Sequence, residues 1–155
     1  MKIVVLSVGR VRQPFIKDGE QEYLKRLKAG FQVELQELGI DAPESLGAQQ
    51  AQEREGEELL KRFKPSDFVV ALDERGKAIS SKELSALCAE RMNAGTKALW
   101  FVVGGAYGLS EKVRQRANYI LSLSALTFPH QLARLLLVEQ LYRAYTIQQG
   151  IGYHK

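Results

Sequence analysis

The chain has 155 residues, 45% of them hydrophobic, a single cysteine and a net charge of +4. That is the size of one domain, able to bury a sizeable core without a metal or disulfide. One cysteine excludes an internal disulfide and fits a reducing compartment. No run reaches the ~18 consecutive apolar residues that span a bilayer, and the amino-terminal apolar run is too short for a secretion signal. The expectation is one cytoplasmic domain over residues 1–155.

Strand-like and helix-like segments alternate from end to end. KIVVLSVG (2–9) is a short apolar run ending in glycine and reads as a buried strand. A helix follows from Pro14 to Ala29, with proline at its start and Gly30 just past its end. FQVELQEL (31–38) alternates at Phe31, Val33 and Leu35, the pattern of a strand with one wet face. Residues 43–64 are polar with a helical close stopped by Pro65; Gly47 and the Gln-rich run give no strong period, so the first part reads as a loop. DFVVALD (67–73) is a third strand.

SSKELSALCAERMNAG (80–95) opens with Ser80 and Glu83 at capping-box spacing and closes on Gly95. Leu84, Leu87, Cys88 and Met92 share one face of this helix, so Cys88 reads as a small core residue. ALWFVVGG (98–105) is a fourth strand, followed by a short helix from Ser110 to Ala117. YILSLSAL (119–126) reads as a fifth strand or extended segment, and a long helix covers 130–148. Five strands alternating with five helices predict an α/β fold, a mostly parallel sheet with helices on both faces.

Charge is unevenly placed. Residues 1–28 carry seven Lys/Arg against three acids, residues 29–60 one against eight, residues 61–97 eight against five, and residues 98–155 six against two. An acidic block thus masks a basic remainder. Such a surface favours a polyanion such as RNA, although ordinary solubilising charge gives the same totals. Arg10, Arg12, Lys25–Lys28 and Arg114–Arg116 are the candidate RNA contacts.

The turn at Gly104–Gly108 follows the fourth strand, at the end of the sheet where parallel α/β folds bind ligands. Its spacing is G-G-x-x-G, with no acidic residue ~20 positions on, which disfavours a dinucleotide site. No GxxxxGK[ST] is present, which excludes a Walker phosphate loop. Both a ligand cradle and a plain tight turn remain open.

The long helix QLARLLLVEQLYRAYTIQQ has apolar residues in nearly every direction. A surface helix of a monomer shows one apolar stripe, so a homodimer sharing this helix is expected. A polar seam of Glu139, Arg143 and Thr146 crosses it, with Glu139 and Arg143 four apart in the order that favours an ion pair. That seam fits a structural pair or a functional site. Two histidines and one cysteine make no metal set, so no metal is expected.

LDERGK, VVGGAYG, LSLSALTFPHQLARLLLVEQLYRAY and the terminal GYHK together resemble the ribosomal large-subunit methyltransferases of the SPOUT superfamily. The resemblance covers essentially the whole chain. It implies an α/β sheet with a trefoil knot in its carboxy-terminal part, an exception to the rule that chains do not thread loops. It implies S-adenosylmethionine as cofactor, contacted by Leu72, Gly104, Gly105, Leu123, Ser124, Ala125, Leu126, Thr127, Phe128 and Pro129. It implies methylation of N3 of a pseudouridine in 23S ribosomal RNA, on the assembled ribosome. Arg143 is then expected to stabilise charge on the base, His154 to remove the N3 proton, and Tyr153 to stack on or hydrogen-bond to the base. His130 is expected to cap or line the cofactor slot, or to be structural. Without the resemblance, the same residues also fit a small α/β enzyme using another nucleotide, or a dimeric RNA-binding module without chemistry.

Overall fold

Five apolar segments lie side by side as parallel strands, and the intervening helices cover both faces of the sheet they form. The computed structural model describes residues 1–40 and 45–155. In chain order the elements are β1 (Lys2–Val8), α1 (Pro14–Leu27), β2 (Gln32–Leu38), α2 (Ala48–Leu60), β3 (Phe68–Ala78), α3 (Ser81–Asn93), β4 (Ala98–Val103), α4 (Glu111–Arg116), β5 (Tyr119–Ser122) and α5 (His130–Gln148). The strand order is β2-β1-β4-β3-β5, and every pairing is parallel.

The two faces carry separate cores because strand side chains alternate. Ile3, Val5, Leu99 and Phe101 pack with Leu27 of α1, Cys88 of α3 and Leu137 and Leu141 of α5. Val4, Leu6, Trp100 and Val102 pack with Leu59 of α2 and Val113 of α4. The central strands are apolar on both sides for this reason, which is why β1 and β4 read as continuous runs.

Local signals set several helix ends. Ser80 and Glu83 make the reciprocal capping box at the start of α3, and Pro14 occupies the first position of α1. Three readings of the sequence need correction. The Gln-rich run is helical from Ala48 onward; residues 43 and 44 of that segment lie outside the described residues. β5 ends at Ser122, four residues short of the expected limit, because Ser122 Oγ donates to the Ser124 carbonyl at 3.0 Å and the Leu126 N–H donates to Ser124 Oγ at 3.0 Å. Such local serine bonds compete with a ladder.

β3 runs on to Ala78, but its register breaks: both Leu72 and Lys77 pair with Leu121. Residues 73–76 therefore bulge out of the sheet at its carboxyl edge. Gly76 permits this, since a Cβ there would lie 2.6 Å from the Ile120 carbonyl oxygen.

Cys88 is fully buried, and burial pushes its thiol up to about 12. The folded chain should resist alkylation by iodoacetamide at pH 8 and react only when unfolded. Pulse labelling followed by mass spectrometry reads this directly; labelling under native conditions would show that α3 opens.

Candidate active site

Two loops meet above the carboxyl edge of the sheet. One is the glycine turn after β4; the other is the irregular segment 123–129 between β5 and α5. With the β3 bulge they enclose a cavity of about 560 Å³. Its inner wall is apolar, from Leu72, Val103, Leu121, Leu123 and Ala133. The turn itself carries no bulk: a Cβ on Gly104 would lie 2.8 Å from the Gly108 carbonyl carbon. Only glycine fits there without moving backbone.

All the expected cofactor contacts border this cavity except Ala125, which is exposed. His130 borders it too. Further residues line it. Asp73 and Glu74, on the bulge, supply negative charge at the rim. The Arg75 hydrogen bonds hold the Asp73 carboxyl below the usual range, with Arg75 Nε at 3.0 Å and Arg114 Nη1 at 3.3 Å. Thr127 Oγ1 donates to Glu74 Oε2 at 3.2 Å, tying the two walls together. Gln52 reaches over from α2, and its Nε2 donates to the carbonyls of Tyr107 at 2.7 Å and Leu109 at 3.2 Å.

The family model described as a predicted SPOUT methyltransferase matches residues 1–154. The chain belongs to the SPOUT methyltransferase family. A relative from Pelotomaculum thermopropionicum named ribosomal RNA large subunit methyltransferase H is 44% identical over 98% of each chain. One of the same name from Streptococcus mutans is 43% identical over 100% of each. Among solved structures, a probable methyltransferase from Bordetella pertussis superposes with a TM-score of 0.60 at 14% identity, covering 93% of this chain and 96% of that one. This last likeness shows the α/β fold, and the family match makes it that of the SPOUT methyltransferases.

The SPOUT chain carries a second cluster, remote from the cavity along α5. Glu139 Oε1 accepts from Arg143 Nη2 at 2.6 Å and from the Tyr153 hydroxyl at 3.0 Å. The Arg143 guanidinium sits 4.7 Å from the Tyr153 ring centre, and Tyr142 meets the same ring edge-on at 4.8 Å. Tyr23 and Arg26 of α1 extend the patch, with Arg26 over both Tyr23 and Tyr142. Burial, then the neighbouring Tyr23 hydroxyl and Glu139 carboxylate, raise the Tyr153 phenol well above its ordinary value. Tyr153 therefore stays a neutral donor. The Glu139 hydrogen bond likewise keeps Arg143 protonated.

The tail folds back instead of fraying. Gly150 turns the chain at φ +64°, and the Ile151 N–H donates to the Thr146 carbonyl at 2.9 Å. His154 Nδ1 is buried without a partner. None of Arg143, Tyr153 and His154 borders the cavity. Ten residues of helix separate Ala133 from Arg143, a rise of about 15 Å.

Two features of α5 depend on its place in the fold. First, α5 lies between α1 and α3 and above the sheet, which accounts for much of its all-round apolarity. Leu132, Leu136, Glu139 and Arg143, at helical spacing along α5, are half-buried. Second, Arg134 is buried on α5, with Nε and Nη2 donating to the two Glu20 oxygens at 2.6 and 2.9 Å and Nη1 to Ser7 Oγ at 2.8 Å. An arginine flanked by alanine and leucines in an apolar stretch was the available signal.

Of the basic residues, Arg114 pairs with Asp73 and Glu111, and Arg116 donates to the carbonyls of Lys64 and Asp67. Those two are engaged inside the fold. Among the described residues, Arg10, Arg12, Lys25 and Lys28 are exposed and make no ion pair. Also among the described residues, no cluster of three metal-type side chains occurs and no helix is long and apolar enough to cross a membrane.

Proposed function

We propose that this chain is an S-adenosylmethionine-dependent methyltransferase that modifies N3 of a pseudouridine in large-subunit ribosomal RNA, as a cytoplasmic homodimer acting on the assembled ribosome. The supporting observation is the cavity between the glycine turn and segment 123–129, in a chain whose full-length relatives bear the name of a ribosomal RNA methyltransferase. The family match supports the expected carboxy-terminal trefoil knot.

The cavity suits the cofactor. Its apolar wall and bare backbone fit an adenine recognised by main-chain groups, and ionised Asp73 with Glu74 complements a cation. Leu72, Gly104, Gly105, Leu123, Ser124 and residues 126–129 would hold it. S-adenosylmethionine supplies an electrophilic methyl group. The chain's own residues must position the base and exclude water. His154, with its unpartnered Nδ1, takes the N3 proton. Arg143 stabilises the negative charge left on the ring oxygens. Tyr153, held neutral, donates or stacks.

A homodimer solves the separation of the two clusters. A twofold axis crossing α5 at Leu136 places Arg143, seven residues on, opposite Pro129, seven residues back. The partner's trio would then stand at this chain's cavity. The half-buried Leu132 and Leu136 would supply apolar contact for that crossing. Leu136→Glu should convert the chain to a monomer in sedimentation equilibrium and abolish transfer; a wild-type chain that is monomeric and fully active sinks the arrangement.

Incubating the chain with labelled S-adenosylmethionine and ribosomes, free subunits or naked RNA, then mapping the labelled base, tests the activity. Label on one uridine-type N3 is expected with the wild-type chain. Gly104→Ala, which forces the turn apart, should abolish cofactor heat in calorimetric titration. No heat from the wild-type chain at saturating cofactor would overturn the reading.

A further inference from the structure

Behind the glycine turn lies a carboxyl group that the activity above does not use. Glu55 sits one helical turn after Gln52 on α2, on the same face, and is only 8% exposed. Its Oε2 has no hydrogen-bond partner. A Cβ built on Gly105 would lie 3.5 Å from that oxygen and 3.2 Å from Val8 Cγ1. The side chain is therefore held against the back of the turn whose front borders the cavity. Burial raises its pKa, and no neighbouring cation offsets this.

The turn's Gly108 N–H donates to the Gly105 carbonyl at 3.1 Å, and two of its carbonyls take Gln52. The Ala106 N–H, on an exposed residue, makes no hydrogen bond to another of the described residues. An unmatched buried acceptor thus lies beside a turn whose tip, Ala106 and Tyr107, is open to solvent. A carboxyl kept this way lowers the stability of the free chain. Neighbouring positions on the same helix face, Ala51 and Leu59, are filled by apolar residues. Features that weaken the resting fold concentrate where a ligand later rewards them.

We propose that Glu55 is a positioning residue of the cofactor site: its carboxylate accepts a main-chain N–H of the Gly105–Tyr107 turn when the nucleoside is seated, fixing the turn against the ligand. Gln52 holds the carbonyl side of the turn and Glu55 completes the amide side. This rests on the S-adenosylmethionine reading of the cavity.

Titration calorimetry with S-adenosylmethionine, denaturant unfolding of the free chain and hydrogen exchange at Ala106 test it on the full-length wild type, Glu55→Gln and Glu55→Leu. The isosteric Gln keeps an acceptor oxygen; Leu does not. Glu55→Leu should bind about tenfold or more weakly, the scale of one hydrogen bond to a charged group, with Gln between Leu and wild type. Both free variants should be at least as stable as wild type. Saturating cofactor should slow Ala106 exchange in wild type and leave it unchanged in Glu55→Leu. Undiminished affinity in Glu55→Leu, or free variants less stable than wild type, overturns the proposal. Failure of the wild type to bind strikes the cofactor reading instead.

Discussion

Replacing Arg143 with alanine should slow methyl transfer by about 10²–10³-fold, the usual loss on removing one charge-stabilising donor, while leaving the affinity for S-adenosylmethionine unchanged. The split follows from geometry. Arg143 lies outside the cavity wall within its own chain, so the cofactor loses no contact. It is kept protonated by Glu139 and stacked on Tyr153, so its charge is aimed and permanent. His154→Ala should lose about 10²–10⁴-fold, the range for a general base. Tyr153→Phe should lose less, since the ring stays over Arg143 and only the bond to Glu139 goes. Single-turnover transfer and calorimetric titration separate the two quantities. Mixing Arg143→Ala with Gly104→Ala chains adds a sharper test. If each site joins one chain's cavity to its partner's trio, random heterodimers restore one intact site and recover about a quarter of wild-type activity. A cavity and trio confined to one chain recover nothing.

The sheet was legible in the sequence because its signals are local. β1 and β4 are unbroken apolar runs, and α3 announces both ends through Ser80, Glu83 and Gly95. What escaped depended on partners far along the chain. β5 ends where Ser122 and Ser124 bond locally, a contest with the β3 ladder that residues 119–126 alone do not reveal. The long α5 read as an interface on every side, whereas α1 and α3 already cover its flanks. The cavity wall came from resemblance to a known family; periodicity alone left the glycine turn open between cradle and tight turn. Gln52 and Glu55 sat in a stretch with no period at all, and their meaning exists only once α2 lies across the turn. Tyr23 and Arg26 became part of the Tyr153 cluster only through the packing of α1 on α5.

Arg134→Met should destabilise the chain by about 3–5 kcal/mol, the cost of leaving a buried charge without its partner, lowering Tm on the order of 10 °C for a chain of this size. Arg134 and Glu20 are both almost fully buried and bonded at two points, while Glu37, at 3.2 Å, stays partly hydrated. Removing the arginine therefore strands Glu20 far more than Glu37. Glu20 already has a raised pKa, because desolvation outweighs the lowering by Arg134. Without Arg134 the lowering is gone and the shift grows. A folded pKa above the unfolded one holds its stability below the ordinary glutamate range and loses it as pH rises through the folded value. The variant should thus be weakest near neutral pH and recover as the pH falls toward that range. The double variant Glu20→Leu/Arg134→Met removes both charges and should regain most of the loss. Denaturant unfolding across pH checks all three results. Equal destabilisation of single and double variants would mean that the arginine acts through packing. The same network reaches the site: Glu37 accepts from the Val11 N–H at 3.2 Å, and Gln131 at the head of α5 accepts from the Arg12 N–H at 3.2 Å. The loop carrying Arg10 and Arg12 is held to the start of the helix that borders the cavity, so Arg134→Met should also weaken binding to ribosomes; Glu37 loses the guanidinium in both variants, so recovery of binding in the double variant would show that the loop needs a filled core and not the ion pair.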